Sequence, residues 1–182
     1  MFEHKIDEDV SLRLFTEDDA EEFYQFTIRS KAYLREWLGW LDYIESAEDS
    51  ANNIKSRLKG MVENGGYPKS FAIIYKGKIA GTIGFNDIHK TNRIGVVGYW
   101  LGEEFQGKGI MSKAFESLIN YGFKELNLNR IEVSVAVENA KSRALPERFG
   151  FTEEGTIRQA EWLYDHFVDH VIYGLLADEW LG

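Results

Sequence analysis

Cysteine is absent from the chain. That excludes a disulfide framework, a thiolate-held zinc site and a catalytic thiol. It also means that any group transfer through a covalent intermediate would need another nucleophile. Proline occurs twice, and no Ser/Gly-rich stretch separates two halves, so the 182 residues read as a single domain, 1–182. No apolar run approaches the roughly 20 residues that cross a membrane. The polar, mixed-charge start from Met1 to Asp9 lacks the apolar core of a signal peptide. The expected location is the cytoplasm, with no membrane partner. Positive charge is in deficit: 21 Lys and Arg stand against 30 Asp and Glu, a net charge of −9. Duplex binding needs a dense basic footprint, so no nucleic-acid partner is expected. A cationic substrate suits this charge, and so does acidity that serves solubility alone.

What is present is enough apolar material for a core, with 44% hydrophobic and 14% aromatic residues. Val10 to Leu14 alternates and predicts a first strand. Thr16 followed by Glu17, Asp18 and Asp19 marks a helix start, with Phe23, Phe26 and Ile28 facing inward. A second short helix is expected to carry Tyr33, Leu34, Trp37 and Leu38, and a third to run from Ala47 to Val62, ending at Asn64-Gly65-Gly66. Phe71 to Tyr75, Ile79 to Phe85 and Ile94 to Leu101 are rich in β-branched and aromatic residues and predict an antiparallel meander, with a hairpin at Lys76-Gly77-Lys78. A helix to about Glu125, a strand at Ile131 to Val137, a helix from Asn139 to Phe149 and strands at Phe151 to Arg158 and His166 to Leu176 complete the order. That order is α+β with a mixed sheet. Pro146 inside the Asn139 helix predicts a kink there.

The segment from Gly98 to Met111 carries the most chemistry. A strand, Gly98-Tyr99-Trp100-Leu101, runs into a turn, Gln106-Gly107-Lys108-Gly109, that opens directly into an amphipathic helix at Ile110 and Met111. The first N–H groups of a helix lack intrahelical partners, and the dipole adds positive potential. Glycines let a phosphate approach the backbone, and Lys108 adds charge. The pattern predicts a pyrophosphate site or, equally, an ordinary tight turn. A P-loop is excluded because Gly109, not Ser or Thr, follows Lys108. A dinucleotide fingerprint is excluded because Ser112 stands where its third glycine belongs.

Here the chain resembles the GNAT superfamily of N-acetyltransferases, whose acetyl-CoA motif is written Gln/Arg-x-x-Gly-x-Gly/Ala. Gln106, Gly107, Lys108 and Gly109 carry the match, and Met111 departs from its final small residue. Glu138-Asn139-Ala140-Lys141-Ser142, followed by Phe149-Gly150-Phe151, resembles the second cofactor segment of that family. Tyr33 to Leu38 and Tyr99-Trp100-Leu101 resemble the RimJ/RimL-like branch, which acetylates N-termini of ribosomal proteins. The resemblance implies a GNAT fold, a mostly antiparallel mixed sheet with flanking helices and a splayed pair of parallel strands ending near Phe105 and Val137. It implies acetyl-CoA as co-substrate, held by Tyr99, Trp100, Leu101, Gln106 to Met111, Asn139 and Ser142.

Aminolysis of a thioester needs a neutral amine, a stabilised oxyanion and help for the leaving thiolate. By the resemblance, Ser142 donates a hydrogen bond to the departing sulfur. On the residues alone, Asn139 and Ser142 also read as helix caps. Glu161, in Arg158 to Tyr164, is the candidate base, with Trp162 and Tyr164 to dry its surroundings. It reads equally as a solvated turn glutamate. A backbone N–H from Leu101 to Glu103 is expected to stabilise the oxyanion. The acceptor expected first is a protein N-terminal α-amino group, acetylated directly in a ternary complex. A small amine such as a polyamine or aminoglycoside is the alternative, and a non-catalytic acyl-CoA-binding module is the third reading. A homo-oligomer is compatible with an exposed edge strand or apolar face. His166 and His170 share a strand face but lack a third convergent ligand, so no metal is expected. Trp37, Trp40 and Tyr43 read as core aromatics or as lining of an acceptor pocket.

Overall fold

The computed structural model describes residues 2–182. The chain forms two compact units. The first takes in the residues up to Gly84 together with Tyr99–Phe115, and the second takes in Phe85–Gly98 and Glu116–Gly182.

In the first unit, strands β1 (Glu3–Lys5), β2 (Val10–Arg13), β3 (Ser70–Tyr75) and β4 (Lys78–His89) pair antiparallel in chain order. The register sets Glu3 opposite Arg13, Val10 opposite Tyr75 and Ser70 opposite Gly84. β4 runs past Gly84 into the second unit. The hairpin between β3 and β4 has Lys76 and Gly77 both at positive φ, 49° and 79°. Such turns match the twist of the strands they join. β1 has no counterpart in the sequence reading.

Helix α1 (Ala20–Leu34) follows a short 3₁₀ turn at Glu17–Asp19. Its inward stripe is Phe23, Phe26, Thr27, Ser30 and Leu34, a helical spacing. Ile28 is 40% exposed, contrary to expectation. It lies two residues past Phe26, roughly 200° around the helix, and so leaves the stripe. The separate helix expected over Tyr33 to Leu38 does not form. Tyr33 and Leu34 end α1, and the N–H groups of Trp37 and Leu38 both close onto the Leu34 carbonyl. Helix α2 (Ala47–Glu63) is capped by Ser46, whose hydroxyl accepts the Asp49 N–H. It ends with Gly66 N–H on the Met61 carbonyl and Gly65 N–H on the Val62 carbonyl, which satisfies two of its last acceptors. The aromatic core has Phe26 stacked on Trp100, ring centroids 5.3 Å apart at 11°. Gly102 lies against this stack, because an added Cβ would come within 2.4 Å of the Phe26 ring.

In the second unit, β5 (Ile94–Leu101, ending in the first unit), β6 (Arg130–Ala136), β7 (Thr152–Leu163) and β8 (His166–Leu176) pair in the order β5-β6-β8-β7. β5 and β6 are parallel, and the other pairs are antiparallel. The parallel ladder runs from Ile94 opposite Arg130 to Val97 opposite Val133, and both strands continue beyond it. The sheet is mixed and the class α+β, as expected. Helix α3 (Ile110–Asn120) straddles the units and continues as a π-helical turn at Tyr121–Glu125. Helix α4 (Ala140–Arg148) follows β6 and passes through Pro146 for two more residues. Among the described residues, no helix is long and apolar enough to cross a membrane.

Candidate active site

The Gly-rich turn lies in the first unit. β5 delivers the chain through Gly102 and a 3₁₀ turn at Glu103–Phe105 to Gln106. The Gln106 amide donates to the Leu101 carbonyl at 3.0 Å, so this side chain ties the turn back to the strand end. Gly107 and Gly109 have φ of 74° and 73°, the left-handed region that favours glycine. An added Cβ at either would meet nothing within 4 Å. Conformation, not crowding, therefore selects glycine, and the space beside the turn is open.

Ile110 is buried and anchors the start of α3, with Met111 half-buried next to it. The first helical bond runs from Lys113 N–H to the Gly109 carbonyl. The Lys113 ammonium pairs with Asp7, and that hydrogen bond is the main cause that pulls the Asp7 carboxyl down to about 2. Lys108 is exposed and has no side-chain partner among the described residues. Lys108 is thus the uncommitted cation of the turn, whereas Lys113 is neutralised.

The strand residues named with the turn are more enclosed. Tyr99 packs edge-on against Phe115 at 5.6 Å. Trp100 and Leu101 are 8% and 5% exposed, so their side chains are packed away from solvent. Trp40 also rests on Trp100, 6.0 Å between centroids, and is half-buried, whereas Tyr43 is 79% exposed. The Gly102 N–H donates to the Ala80 carbonyl at 2.9 Å. It is therefore withdrawn from the stretch expected to stabilise an oxyanion.

Asn139, Ser142 and Glu161 lie in the second unit. Asn139 caps α4: its side-chain oxygen accepts the Ser142 N–H at 3.2 Å. Arg143 latches the same first turn to the sheet. Its Nε donates to the Tyr173 hydroxyl at 2.9 Å and another guanidinium nitrogen donates to the Val137 carbonyl at 3.0 Å. Tyr173 in turn donates to Glu147 at 2.8 Å. The sequence reading missed this latch, although an arginine directly after Ser142 was its visible trace.

Glu161 sits within β7, not in a turn. Its carboxylate lies 3.4 Å from His170 Nε2, and His170 Nδ1 lies 2.8 Å from the Ser134 hydroxyl. The glutamate side chain is 40% exposed and the imidazole 19%. Among the sequence-predicted residues the structure thus brings Asn139 to Ser142, and it brings Glu161 to His170. Ser134 was not singled out, and nothing in its own neighbourhood marks it. His166 faces away from this cluster in its bonding, because its ring contacts Asp165 at 2.6 Å.

Residues 9–152 match the family described as the acetyltransferase (GNAT) domain. The ribosomal-protein-serine acetyltransferase of Escherichia coli (strain K12) is 32% identical over 174 residues, 96% of this chain and 96% of that protein. The solved structure of RimL, a ribosomal L7/L12 α-N-protein acetyltransferase in complex with coenzyme A, aligns with a TM-score of 0.90 at 28% identity, over 98% of this chain and 99% of that one. The microcin C7 self-immunity acetyltransferase MccE, solved with acetyl-CoA and AMP, aligns with a TM-score of 0.87 at 30% identity, over 94% of each chain.

Proposed function

Because the chain belongs to the GNAT family of acetyltransferases, we propose that it transfers the acetyl group of acetyl-CoA to the α-amino group of a protein N-terminus of the ribosomal-protein type. The observation that carries the cofactor is the open left-handed turn at Gly107 and Gly109, with Lys108, exposed and without a partner among the described residues, between them and α3 directly behind. Backbone N–H groups there take the pyrophosphate, and Lys108 adds charge. Gln106 shapes the turn through Leu101, and Ile110 and Met111 seat it on α3. Tyr99, Trp100, Leu101 and Asn139 act through main chain or as supports. The acceptor class follows the enzyme of Escherichia coli, which is named for ribosomal-protein serine and matched over nearly the whole chain.

An α-amino group has a reference pKa of about 7.7–8.0, against about 10.4 for lysine, so an N-terminus asks less of a base. The amine nitrogen attacks the thioester carbon, Glu161 takes the amine proton, and the C–S bond breaks as Ser142 donates a hydrogen bond to the departing sulfur. The transfer is direct, in keeping with a chain without cysteine. A small-molecule amine is the second reading, favoured by the likeness to MccE solved with AMP.

Thiol release from acetyl-CoA, measured against a panel of N-terminal peptides, polyamines and aminoglycosides, decides between acceptors. Turnover of peptides supports the first reading, and turnover of small amines alone replaces it with the second. Release with no panel member would leave only acyl-CoA binding. Direct transfer predicts intersecting initial-rate patterns and no mass gain on enzyme mixed with acetyl-CoA alone. A stoichiometric acetyl adduct that an acceptor discharges would overturn it.

A further inference from the structure

We propose that His170 is a positioning residue for Glu161, holding one carboxylate oxygen through Nε2–H, with Ser134 selecting the imidazole tautomer that can do so. The proposal rests on the reading of Glu161 as the base.

The arrangement is built by an irregularity in the β7–β8 ladder. Ile157 pairs with His170, but Glu161 pairs with Val168, so Arg158, Gln159 and Ala160 together face the single residue Asp169. Without that bulge, counting from the Ile157–His170 pair would set Glu161 opposite His166. The bulge draws Glu161 two positions along β8 and makes it a diagonal neighbour of His170, within reach of long side chains. Ser134 pairs with Ile172, and Ala136 pairs with His170. Ser134 is therefore the diagonal neighbour of His170 on its other side. Three adjacent strands present the serine, the histidine and the glutamate to one another.

The bulge is held in place. Gln159 has φ of 48°, a conformation that non-glycine residues adopt at a cost. Its N–H donates to the Asp169 carboxylate at 2.7 Å, and the Asp169 carbonyl accepts the Val137 N–H at 2.9 Å. One residue thus fastens the bulge to the end of β6.

Elementary hydrogen-bond chemistry assigns the protons. An ionised carboxylate only accepts, so the nitrogen facing Glu161 must carry hydrogen for a bond to form. In a neutral imidazole the other nitrogen is then an acceptor, and the Ser134 hydroxyl must donate to it. The opposite tautomer would aim a lone pair at the carboxylate. The Nε2 contact, at 3.4 Å, is longer than the usual range of about 2.7–3.2 Å. Active-site bonds of this kind commonly tighten when substrate binds. Held by one oxygen, Glu161 keeps the other for the proton of the amine. Its side chain has no further partner among the described residues.

The test uses the full chain and two readouts. Imidazole ¹⁵N spectra of the unmodified protein should show neutral His170 as the Nε2–H tautomer, with that preference reduced in Ser134→Ala. A dominant Nδ1–H form in the unmodified protein overturns the proposal, and this measurement needs no variant at position 170. Kinetics with acetyl-CoA and a serine-initiated peptide, or the panel member turned over fastest, supply the second readout. His170→Ala should lower kcat by up to roughly 10²-fold, the cost of a misplaced reacting group, with acetyl-CoA KM unchanged. His170→Gln, which retains an N–H donor, should restore most of the rate. In a Glu161→Gln background, His170→Ala should cost nothing more.

Wild-type turnover in His170→Ala, beside a slow Glu161→Gln, overturns positioning and leaves the base reading standing. So does a loss that glutamine does not restore, or losses that multiply in the double variant. A Glu161→Gln enzyme at wild-type rate instead removes the base reading, and the role of His170 in the reaction falls with it.

Discussion

The side-chain oxygen of Asn139 accepts the backbone N–H of Ser142 at 3.2 Å, so Asn139 caps α4 through the serine's main chain. Asn139 does the capping, and replacing the Ser142 side chain leaves that bond in place.

Ser142→Ala keeps the Asn139 cap, and alanine is the better helix former, so the variant is expected to fold with a cooperative melt. Its kcat should fall while acetyl-CoA affinity stays close to normal. The deficit should persist as pH rises, because the hydroxyl acts on the leaving thiolate and not on the amine. A drop in melting temperature matching the drop in rate would return Ser142 to a structural role.

Glu161→Gln is expected to lower kcat by roughly 10²–10⁴-fold, the usual worth of a positioned general base. Acetyl-CoA affinity, read by calorimetry, should change little. The loss should shrink with rising pH, because more of the α-amino acceptor arrives already neutral above its reference pKa of about 7.7–8.0. Near-normal turnover at pH 7 would remove this carboxylate from the mechanism.

Gly109→Asp is expected to abolish tight coenzyme A binding in a protein that still folds. Aspartate tolerates the left-handed conformation better than most residues, and its Cβ would meet nothing within 4 Å. The same substitution places negative charge where the pyrophosphate should lie. Calorimetry on a variant with a cooperative melt decides the matter. Unchanged affinity would sink the assignment of this turn.

Asp19→Asn tests the frame of the first unit. Arg13 donates to both Asp19 oxygens, at 2.7 and 2.9 Å, and Thr16 N–H adds a third bond. Burial pushes the Asp19 carboxyl up, but the Arg13 and Thr16 bonds outweigh it, and its pKa is lowered overall. The variant should lose about 1–3 kcal/mol, the cost of leaving a buried group poorly partnered. A depressed folded pKa means that the stabilisation is present above the unfolded value of about 3.9 and is lost as pH falls through the folded one. The gap between parent and variant should therefore close in acid, below about pH 4. Urea melts at pH 7 and pH 3 would show it, and a constant gap would contradict it.

Several elements were legible because short-range chemistry encodes them. The Lys76-Gly77 hairpin, the Ser46 cap and the Asn64-Gly65-Gly66 stop of α2 each depend on a few neighbouring residues. The turn at Gly107 and Gly109 belongs with them, since positive φ strongly favours glycine. Helix phase was legible for Phe23 and Phe26 and misread for Ile28, which the angular count alone would have placed outside. The expected break between α1 and a second helix failed because no residue there interrupts the helical ladder before Leu34.

By itself, then, the sequence determined the α+β order, the glycine turn at the head of α3 and the residue types that acyl transfer to an amine requires. Tertiary structure alone decided which of those side chains meet. The position of Glu161 beside His170 depends on a bulge held by Asp169, and the loss of the Gly102 N–H depends on the Ala80 carbonyl. The physical reason is one of range. Turn and cap preferences are set by backbone conformation within a few residues, whereas strand register is set by pairing between segments distant in the chain. A shift of two positions in that pairing keeps every side chain on its face of the sheet while changing the neighbour it touches.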